Sequence, residues 1–346
     1  MSRTGPKVAF YAQGLRTPSS RFRVQQLLPA LRREGLVCQV YAANPSNQGE
    51  TEHWSPPRSL RALLSYAGVL SRLSQLARAQ RHDVLVFQKP LLPFMTSLFE
   101  RRLARIRPCV FDLDDALYVK KGGRKWIQGI AQACARVIAG NAHLAEQLGV
   151  PDRTLIIPTV VDSERYLPRP LPDRPFTIGW TGVASNLAEF DPLVPVLRRV
   201  LEETRGRLLL VCERFPRAWI KSLPVDTVRW TPQVEVEALA DIHVGIMPLS
   251  DTPFNRGKCG FKLLQYMARG VPVVASPVGV NAEIVRPGTN GWLATRPDEW
   301  EDALIAMHRD ADQAARMGRA GRSRVEAEYS VKAVSGRYVE LFRSLA

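Results

Sequence analysis

The sequence is poor in cysteine and contains no long apolar run. Its five cysteines are odd in number, scattered and without a CxxC pair: Cys38, Cys109, Cys134, Cys212 and Cys259. This pattern argues against a zinc site and predicts buried, reduced thiols in a cytoplasmic protein. No apolar stretch approaches the roughly 18–20 residues needed to span a bilayer. The opening residues MSRTGPKVAF lead directly into a strand pattern, so we expect neither a signal peptide nor a transit peptide.

Acidic residues are scarce relative to basic ones. The 346 residues include 48 Lys and Arg against 33 Asp and Glu, a net charge of +15. Such an excess indicates an anionic partner: a diphosphate, a lipid phosphate, a membrane surface or nucleic acid. Nucleic acid is disfavoured, because the sequence has no recognised nucleic-acid-binding module and no aromatic–basic motif.

Residues 56–82 alternate leucine and arginine at helical spacing and allow two interpretations. The segment either packs as a helix on its own sheet, or presents a basic amphipathic surface for peripheral contact with an anionic membrane. The residues concerned are Leu60, Leu63, Leu64, Leu70, Leu73 and Leu76, with Arg58, Arg61, Arg72, Arg78 and Arg81 between them.

Short apolar strand patterns alternate with helical patterns along the whole chain. The predicted strands begin at Lys7, Val37, Val84, Cys109, Val137 and Thr154, and then at Phe176, Leu208, Thr227, Val244, Val273 and Trp292. This alternation predicts an α/β protein with parallel sheets covered by helices on both faces, and the length suits two domains of about 150 residues. The proline-rich segment 168–175 is the clearest boundary between them.

Residues 253–294 form the most informative stretch of the chain. The predicted helix FKLLQYMAR begins after Gly260, which releases the backbone, and stops at the next glycine. Amides around Gly260 would point out of a helix N-terminus, which attracts phosphate. Lys258, Lys262 and Gln265 lie near that end and offer ammonium groups for a diphosphate and an amide for a ribose. The alternative is a solvated basic start of an ordinary helix.

The loop after the first strand contains two arginines in an unusual place. Arg21 and Arg23 fall in the first turn of a helix predicted over residues 19–34, with Ser19 or Ser20 as its cap. Cations at a helix N-terminus oppose the helix dipole unless an anion is bound. We therefore expect this loop to face a phosphate, with a purely structural role as the alternative.

Three acids follow the strand that begins at Cys109. Asp112, Asp114 and Asp115 repel one another, which indicates a site or a bound cation. Alternatively, one caps a turn, one pairs with a nearby basic residue and the third is solvated. Asn141 is expected to cap the helix that follows it.

Several of these stretches occur in the order found in the retaining family 4 glycosyltransferases. GKCGFKLLQYMARGVPVVAS resembles the signature of that family, roughly E-G-F-G-x-x-x-x-E-A-M-A-x-G-x-P-V-V-A, and the loop PSSRFR is similar to that of one subgroup. CVFDLDDALY, IIPTVVD, FTIGWTGVASNL and DIHVGIMPLSD continue the similarity. The resemblance implies the GT-B architecture: two Rossmann-like, doubly wound domains facing across a cleft. The implied limits are 1–167, a linker at 168–175, 176–329, and a C-terminal helix at 330–346 that returns to the first domain.

The resemblance also implies an activity. A sugar would pass from a nucleotide-sugar donor to a cell-envelope, polysaccharide or lipid-linked acceptor, with retention and without a metal or other cofactor. Gly257 and Gln265 stand where that family has its two signature glutamates. A non-catalytic sugar-nucleotide-binding or partner subunit, or a peripheral membrane scaffold, is therefore kept as an alternative. Donor sugar, base and acceptor are left open.

Carried over residue by residue, the resemblance implies three groups of site residues, all at the carboxyl ends of strands, where ligands of such sheets lie. Those expected at the catalytic centre are Lys262, Lys258, Arg256 and Asp114. Those expected around the donor are Gly182, Ser185, Asn186, Arg229, Trp230, Gly260, Phe261, Gln265, Asn281 and Glu283. Those expected on the acceptor side or in the cleft are Ser20, Arg21, Arg23, Asp115 and Asn141.

Overall fold

A computed structural model describes residues 5–15, 17–44, 68–92 and 96–346. The chain packs as two compact units. The first unit comprises Met1–Val160, Gly257–Cys259 and Val331–Ala346, and the second comprises Val161–Arg256 and Gly260–Ser330. The proline-rich segment 168–175 therefore lies inside the second unit, and the short segment 257–259 belongs to the first.

The first unit is built on a six-stranded parallel sheet with the order β2-β1-β3-β4-β5-β6. Its strands are β1 Lys7–Gly14, β2 Val37–Asn44, β3 Val84–Gln88, β4 Cys109–Leu113, β5 Arg136–Ala139 and β6 Thr154–Ile156. Every residue of β3 and β4 is buried, as expected for apolar strands covered on both faces. Because all six strands run the same way, their carboxyl ends meet at one edge of the sheet.

Helices cover both faces of the first sheet. One face carries Pro18–Arg23, Gln25–Leu27 (a 3-10 turn), Leu28–Arg33 and the C-terminal helix Val331–Leu345. The rings of Phe10 and Phe342 meet edge-on there, with their centroids 5.7 Å apart. The other face carries helical residues 68–76 and the helices Leu98–Ala104, Gly123–Ala133 and Ala142–Leu148. Short 3-10 turns occur at Ala79–Arg81, Leu117–Val119 and Pro151–Arg153.

The second unit repeats this plan with a six-stranded parallel sheet in the order β12-β11-β10-β7-β8-β9. Its strands are β7 Thr177–Thr181, β8 Arg207–Cys212, β9 Val225–Arg229, β10 Val244–Met247, β11 Val273–Ala275 and β12 Gly291–Leu293. Its α-helices are Val194–Thr204, Val234–Ala238, Pro253–Arg256, Phe261–Ala268, Asn281–Ile284, Pro297–Arg309 and Ala311–Arg324. The 3-10 helices are Ala184–Leu193, Ala218–Ser222 and Leu239–Asp241, and Val325–Tyr329 is π-helical.

The predicted fold class is confirmed: each unit is a Rossmann-like α/β layer structure on a parallel sheet. The prediction of one continuous helix over residues 19–34 is wrong. The backbone leaves the helical region at Val24, with φ −126° and ψ −67°. Pro29 explains the break, because its ring clashes with the carbonyl of the residue four positions earlier and it donates no hydrogen bond.

Only the later part of the 56–82 segment lies within the described residues, which begin at residue 68; Leu60, Leu63, Leu64, Arg58 and Arg61 lie outside them. For Arg72, the structure supports the first of the two interpretations, in which the segment packs on its own sheet. The Arg72 side chain is fully buried, and Nη1 donates to the Tyr41 carbonyl at 2.9 Å. Leu76 packs on the core, whereas Leu70 and Leu73 are exposed.

In the part of the chain that the structure describes, no helix is both long enough and apolar enough to cross a bilayer.

Candidate active site

The helix Phe261–Ala268 begins at a glycine in the left-handed region. Gly260 has a φ of 65°, which a residue with a Cβ adopts only with strain. A Cβ at this position would also collide with Ile284 Cδ1. No side chain caps the helix and its first turn holds no acidic residue. The positive end of the helix dipole is therefore not offset by a carboxylate of its own first turn.

Lys262, in that first turn, packs against the end of β7. Its Nζ lies 5.5 Å from the centroid of the Trp180 ring, within the range of a cation–π interaction. A Cβ at Gly182 would lie 2.7 Å from Lys262 Cε and 2.6 Å from Trp180 Cζ2. Glycine at position 182 therefore leaves the space that the lysine stem occupies. The structure thus brings Lys262 and Gly182, two residues named from the sequence, into direct contact.

Other residues expected around the donor follow the neighbouring strands of the second sheet. Ser185 is exposed and Asn186 half-buried in the 3-10 helix Ala184–Leu193, which follows β7. Arg229, at the end of β9, is exposed, and Trp230 packs partly on the core. Phe261 also packs partly on that core. Their roles towards a donor stay predictions.

Asn281 and Glu283 share one short helix, Asn281–Ile284, but occupy opposite environments. Asn281 is 1% exposed, and its Nδ2 donates to the Ser276 carbonyl at 3.1 Å. Glu283 is exposed. Asn281 therefore holds the turn after β11 in place, while Glu283 remains accessible.

The loop that contains Arg256 is fixed by acids of the second unit. The Arg256 guanidinium makes two parallel bonds to Asp251, 2.6 Å from Nε to Oδ1 and 2.8 Å from Nη2 to Oδ2. Sequence reasoning missed Glu189, whose carboxylate accepts from the Ser250 amide and from Asn255 Nδ2, both at 2.7 Å. No local pattern marks Glu189, because its partners lie about sixty residues further along the chain.

Gln265 does not present a free amide, which corrects the expectation that it binds a ribose directly. Its side chain is 2% exposed. Its Nε2 donates to the Tyr166 hydroxyl at 2.8 Å and to Glu235 Oε1 at 2.9 Å. Both amide hydrogens are therefore used inside the second unit. The carboxylate that lies beside the Gln265 side chain belongs to Glu235.

Residues 257–259 pack within the first unit. A Cβ on Gly257 would lie 2.7 Å from the Cβ of Ala116, so a glutamate at this position has no room without local rearrangement. Asn141 Nδ2 donates to the Lys258 carbonyl at 3.0 Å. Asn141 Oδ1 also accepts from the Leu144 amide at 2.8 Å, which confirms the expected N-cap. Asn141 thus links the start of a helix to the segment that contains Lys258.

The acidic turn after β4 is neutralised by a residue that the sequence did not single out. Lys89 Nζ lies 3.5 Å from Asp114 Oδ1 and 3.2 Å from Asp115 Oδ2. Lys89 has a φ of 66°, an unusual conformation for a residue other than glycine. Burial alone would raise the pKa of Asp114, but the charges of Lys89 and Arg23 outweigh it and hold that pKa below its usual range. The two carboxylates likewise raise the pKa of Lys89 against the effect of burial.

Arg23 is buried, which corrects the expectation that it faces a phosphate. It is 1% exposed, and its Nη2 lies 2.6 Å from Oδ1 of the equally buried Asp112. Nη1 donates to the Ile157 carbonyl at 2.9 Å. Burial lowers the pKa of Arg23, but the Asp112 carboxylate reverses this and raises it. The pair ties the first helix to β4 and to the chain after β6.

Two further residues of this loop, Ser20 and Arg21, differ in burial. Ser20 is fully buried, and its hydroxyl accepts from Thr17 Oγ1 at 2.8 Å. The structure shows no side-chain cap on the helix Pro18–Arg23, so the expected serine cap is wrong. Arg21 is half-buried, with its guanidinium 4.7 Å from the centroid of the Phe22 ring. Of the two arginines in this loop, Arg21 is the more accessible.

Within residues 5–15, 17–44, 68–92 and 96–346, no three His, Cys, Asp or Glu side chains are grouped so that they would hold a metal ion. The five cysteines are free thiols, four of them buried and Cys259 half-buried. Burial raises the pKa of Cys259 to about 12, so this thiol stays protonated at neutral pH.

The part of the chain that matches a known protein family lies almost entirely within the second unit. Residues 175–310 match the family described as Glycosyl transferases group 1. The D-inositol 3-phosphate glycosyltransferase of Geodermatophilus obscurus is 29% identical over 203 residues, 49% of this chain and 44% of that protein. A GDP-mannose-dependent monoacylated alpha-(1-6)-phosphatidylinositol monomannoside mannosyltransferase of Corynebacterium glutamicum is 26% identical over 54% of this chain and 55% of its own length. The matched stretch therefore spans about half the length of these relatives.

Solved structures resemble the chain over almost its whole length. Anabaena HepE, crystallised with UDP and glucose, has a TM-score of 0.71 at 15% identity, covering 99% of this chain and 100% of HepE. The sucrose-phosphate synthase of Thermosynechococcus elongatus has a TM-score of 0.71 at 17% identity, covering 99% of each chain. Identities this low establish the fold alone. The chain therefore has the fold of GT-B glycosyltransferases, and its residues 175–310 match the glycosyl transferases group 1 family.

Proposed function

We propose that the protein is a retaining glycosyltransferase that moves a sugar from a nucleotide-sugar to a cell-envelope, polysaccharide or lipid-linked acceptor. The observation that carries the proposal is the contact between Lys262 and Gly182 at the start of an uncapped helix, inside the unit that matches the glycosyltransferase family. Sugar transfer needs stabilisation of the departing diphosphate, which a fixed ammonium group and a helix N-terminus supply.

In this proposal, Lys262 binds the leaving diphosphate, with Arg256 and Lys258 as secondary cations. The exposed Arg229, Ser185 and Glu283, with the residues that share their loops, contact the nucleotide and its sugar. Asp114, Asp115, Asn141 and Arg21 act from the first unit, on the acceptor side. The nucleotide-sugar is a substrate, and no metal or other cofactor takes part. The reaction takes place in the cytoplasm, with its acceptor at the inner face of the membrane.

Uridine and guanosine diphosphate sugars are the first donors to test. HepE, which shares the fold, has been crystallised with UDP-glucose, and the Corynebacterium glutamicum relative is named for its dependence on GDP-mannose. The structural likeness supports the uridine nucleotide and the sequence likeness supports the guanosine nucleotide. The two therefore form a direct comparison.

A second candidate function is a sugar-nucleotide-binding subunit without turnover. Two observations favour it. A glutamate side chain does not fit at Gly257, where Ala116 closes the space. Gln265 donates both of its amide hydrogens in bonds to Tyr166 and Glu235. Both positions differ in chemistry from the glutamates of the resembling family, so binding and catalysis are to be tested separately.

Binding is tested by thermal stability in the presence of UDP, GDP, dTDP, ADP and CMP, with and without EDTA. A ligand at about 100 times its Kd adds about 2.7 kcal/mol to the folded state, which raises the melting temperature of a domain of this size by roughly 5–11 °C. We expect one diphosphate to give this shift, insensitive to EDTA, and Lys262→Ala to abolish it. Lys221→Ala removes an exposed lysine of the same unit outside the site and is the matched control.

Turnover is tested by release of the nucleotide from UDP-glucose and GDP-mannose with candidate acceptors. Release that depends on Lys262 supports the transferase. Binding without release from either donor supports the non-catalytic subunit instead. If no nucleotide shifts the melting temperature, the donor site proposed around Lys262 is wrong.

A further inference from the structure

The positive charge of the protein resides entirely in its first unit. That unit contains 27 Lys and Arg against 11 Asp and Glu, a net charge of +16. The second unit contains 21 against 22, a net charge of −1. Arginine-rich composition alone would affect both units alike, so it does not explain this asymmetry. A charge difference of this size between two halves of a chain indicates that one half meets an anionic surface.

Part of this charge lies on one side of the helix Leu98–Ala104. The neighbours Arg101 and Arg102 lie three and four residues after Leu98, and Arg105 lies three and four residues after them; all four side chains are exposed. Leu98 is 69% exposed, and Ile106, one residue beyond the arginines, is 39% exposed. Residues at this spacing form a single stripe along a helix.

The residues before the helix Gly123–Ala133 and its first turn continue the same composition. Val119, Lys120, Lys121, Arg124 and Lys125 are all exposed, Val119 to 43%. The segment lies beside the first stripe. The indole of Trp126, the residue after Lys125, donates to the Thr96 carbonyl at 3.0 Å, which places residues 124–126 against the start of the helix Leu98–Ala104. We call the exposed residues of the two segments the basic face: Leu98, Arg101, Arg102, Arg105, Ile106, Val119, Lys120, Lys121, Arg124 and Lys125.

No acid among the described residues 96–136 is free to neutralise the basic face. Glu100 is 1% exposed, with its carboxylate accepting from the Leu91 amide. Asp112 forms an ion pair with Arg23, and Asp114 and Asp115 form ion pairs with Lys89. One exposed acid, Glu146, belongs to the adjoining helix Ala142–Leu148. The acids of residues 96–136 therefore leave the charge of the basic face largely uncompensated.

We propose that the basic face docks the first unit onto an anionic lipid bilayer. Its cations match the negative surface potential of such a bilayer, and each Lys or Arg near the surface strengthens binding by about fivefold. Leu98, Ile106 and Val119 add exposed apolar side chains among these cations. That mixture suits the boundary between headgroups and acyl chains. Nucleic acid would be read by stacking aromatic side chains or by base contacts, which this face does not offer.

The experiment measures co-sedimentation of the full chain with vesicles of phosphatidylcholine, with and without phosphatidylglycerol, in the absence of nucleotide. The test variant carries Lys120→Ala, Lys121→Ala, Arg124→Ala and Lys125→Ala. We expect the parent to bind only the anionic vesicles and the variant, which loses four cations at about fivefold each, to lose binding by on the order of several hundredfold. The matched control removes the same number of exposed cations from the second unit, Arg214→Ala, Lys221→Ala, Arg316→Ala and Arg319→Ala, and should bind as the parent does.

A second variant, Leu98→Ser with Val119→Ser, tests the apolar part of the face. It should still bind at about 0.1 M salt but detach at about 1 M salt, where the Debye length shrinks to about 3 Å. The proposal is wrong if the parent does not co-sediment with anionic vesicles, or if the basic-face variant and the control lose binding equally. It is also wrong if the four lysines and arginines govern binding to an oligonucleotide but not to vesicles.

Discussion

The buried amide of Gln265 gives the sharpest test of the second unit. The substitution Gln265→Glu places a second carboxylate where Nε2 now lies 2.9 Å from Glu235 Oε1, with both side chains at least 96% buried. Two like charges about 4 Å apart repel by about 4 kcal/mol at an effective dielectric constant near 20. Keeping one carboxyl protonated to about pH 7.5 instead requires a pKa shift of about three units, which again costs about 4 kcal/mol. Either way, we expect the free energy of unfolding to fall by about 4 kcal/mol near neutral pH.

The destabilisation by Gln265→Glu has a definite pH dependence. The folded variant keeps a proton between its two carboxyls to a higher pH than the unfolded chain does. The variant is therefore closest to the parent at about pH 4 and loses stability as the pH rises toward about 8. Urea denaturation at several pH values measures this difference. Gln265→Met, which removes both hydrogen-bond donors and adds no charge, should show no such slope.

An exchange variant completes the test. Gln265→Glu combined with Glu235→Gln restores one amide and one carboxylate across the same 2.9 Å contact. We expect it to recover most of the lost stability, because only the like-charge pair has been removed. If Gln265→Glu is as stable as the parent at about pH 7.5, or if the exchange variant is no better than Gln265→Glu alone, the two side chains are not coupled as described.

Three further substitutions test single contacts. Arg23→Met leaves the carboxylate of Asp112 buried without its partner, so we expect urea unfolding to show a loss of about 3–5 kcal/mol, and an unaffected variant would contradict the pairing. Asp114 has a lowered pKa in the folded state, so the stability it supplies is present above its unfolded pKa of about 3.9 and is lost as the pH falls through the lower folded value. Melting curves through that acid range should therefore decline in the parent and flatten in Asp114→Asn; parallel curves would disprove this. Gly182→Ala pushes the stem of Lys262 aside, so calorimetry should show about tenfold weaker nucleotide binding, about 1.4 kcal/mol, while unchanged affinity would place Lys262 outside the site.

Local patterns in the sequence were sufficient to predict the layer structure. The helix Ala142–Leu148 follows its predicted cap, Asn141, whose side chain accepts from the Leu144 amide. The strand Val273–Ala275 also begins at its predicted residue. Such elements are specified by residues within a few positions of one another: a cap three residues before its acceptor, or a short apolar run between glycine and proline. The prediction of a continuous helix over residues 19–34 is wrong for an equally local reason, since Pro29 lies inside the predicted range.

Lys89 shows what local patterns leave out. The sequence shows the acidic turn, but the cation that pairs with Asp114 and Asp115 lies 25 residues before Asp114 and not in the nearby sequence. A signal was available, because β3 and β4 are adjacent parallel strands in which Gln88 pairs with Asp112. The residues that follow two paired strand ends lie side by side, so Lys89 falls opposite the acidic turn. Its left-handed backbone has no sequence signal, since lysine carries no preference for that conformation.

Gln265 illustrates a different gap. A motif fixes the place of a residue in the fold, and the helix Phe261–Ala268 lies where the motif predicted it. It does not fix what the side chain contacts there. The hydrogen bonds of Gln265 go to Tyr166 and Glu235, which are 99 and 30 residues away in sequence. Replacing a glutamate by a glutamine in a motif therefore changes a buried network, and only the three-dimensional packing reveals which acid remains beside it.

The separation of charge between the units distinguishes two kinds of anion binding. The second unit is nearly neutral, so the proposed diphosphate site relies on a few fixed groups around Lys262 rather than on a long-range field. Nucleotide binding there should therefore depend weakly on salt. The first unit carries a net charge of +16. The electrostatic part of its attraction to an anionic bilayer should collapse between about 0.1 M and about 1 M salt, which leaves the contribution of the apolar side chains Leu98 and Val119.

When both are measured on one preparation, nucleotide binding and vesicle binding should be lost in different variants. Lys262→Ala should abolish the nucleotide response and leave vesicle binding unchanged, because Lys262 belongs to the nearly neutral unit. The four-alanine variant of the basic face should do the reverse. A variant that abolished both responses while remaining folded would show that the two anion sites are one, and the assignment of separate tasks to the two units would then be wrong.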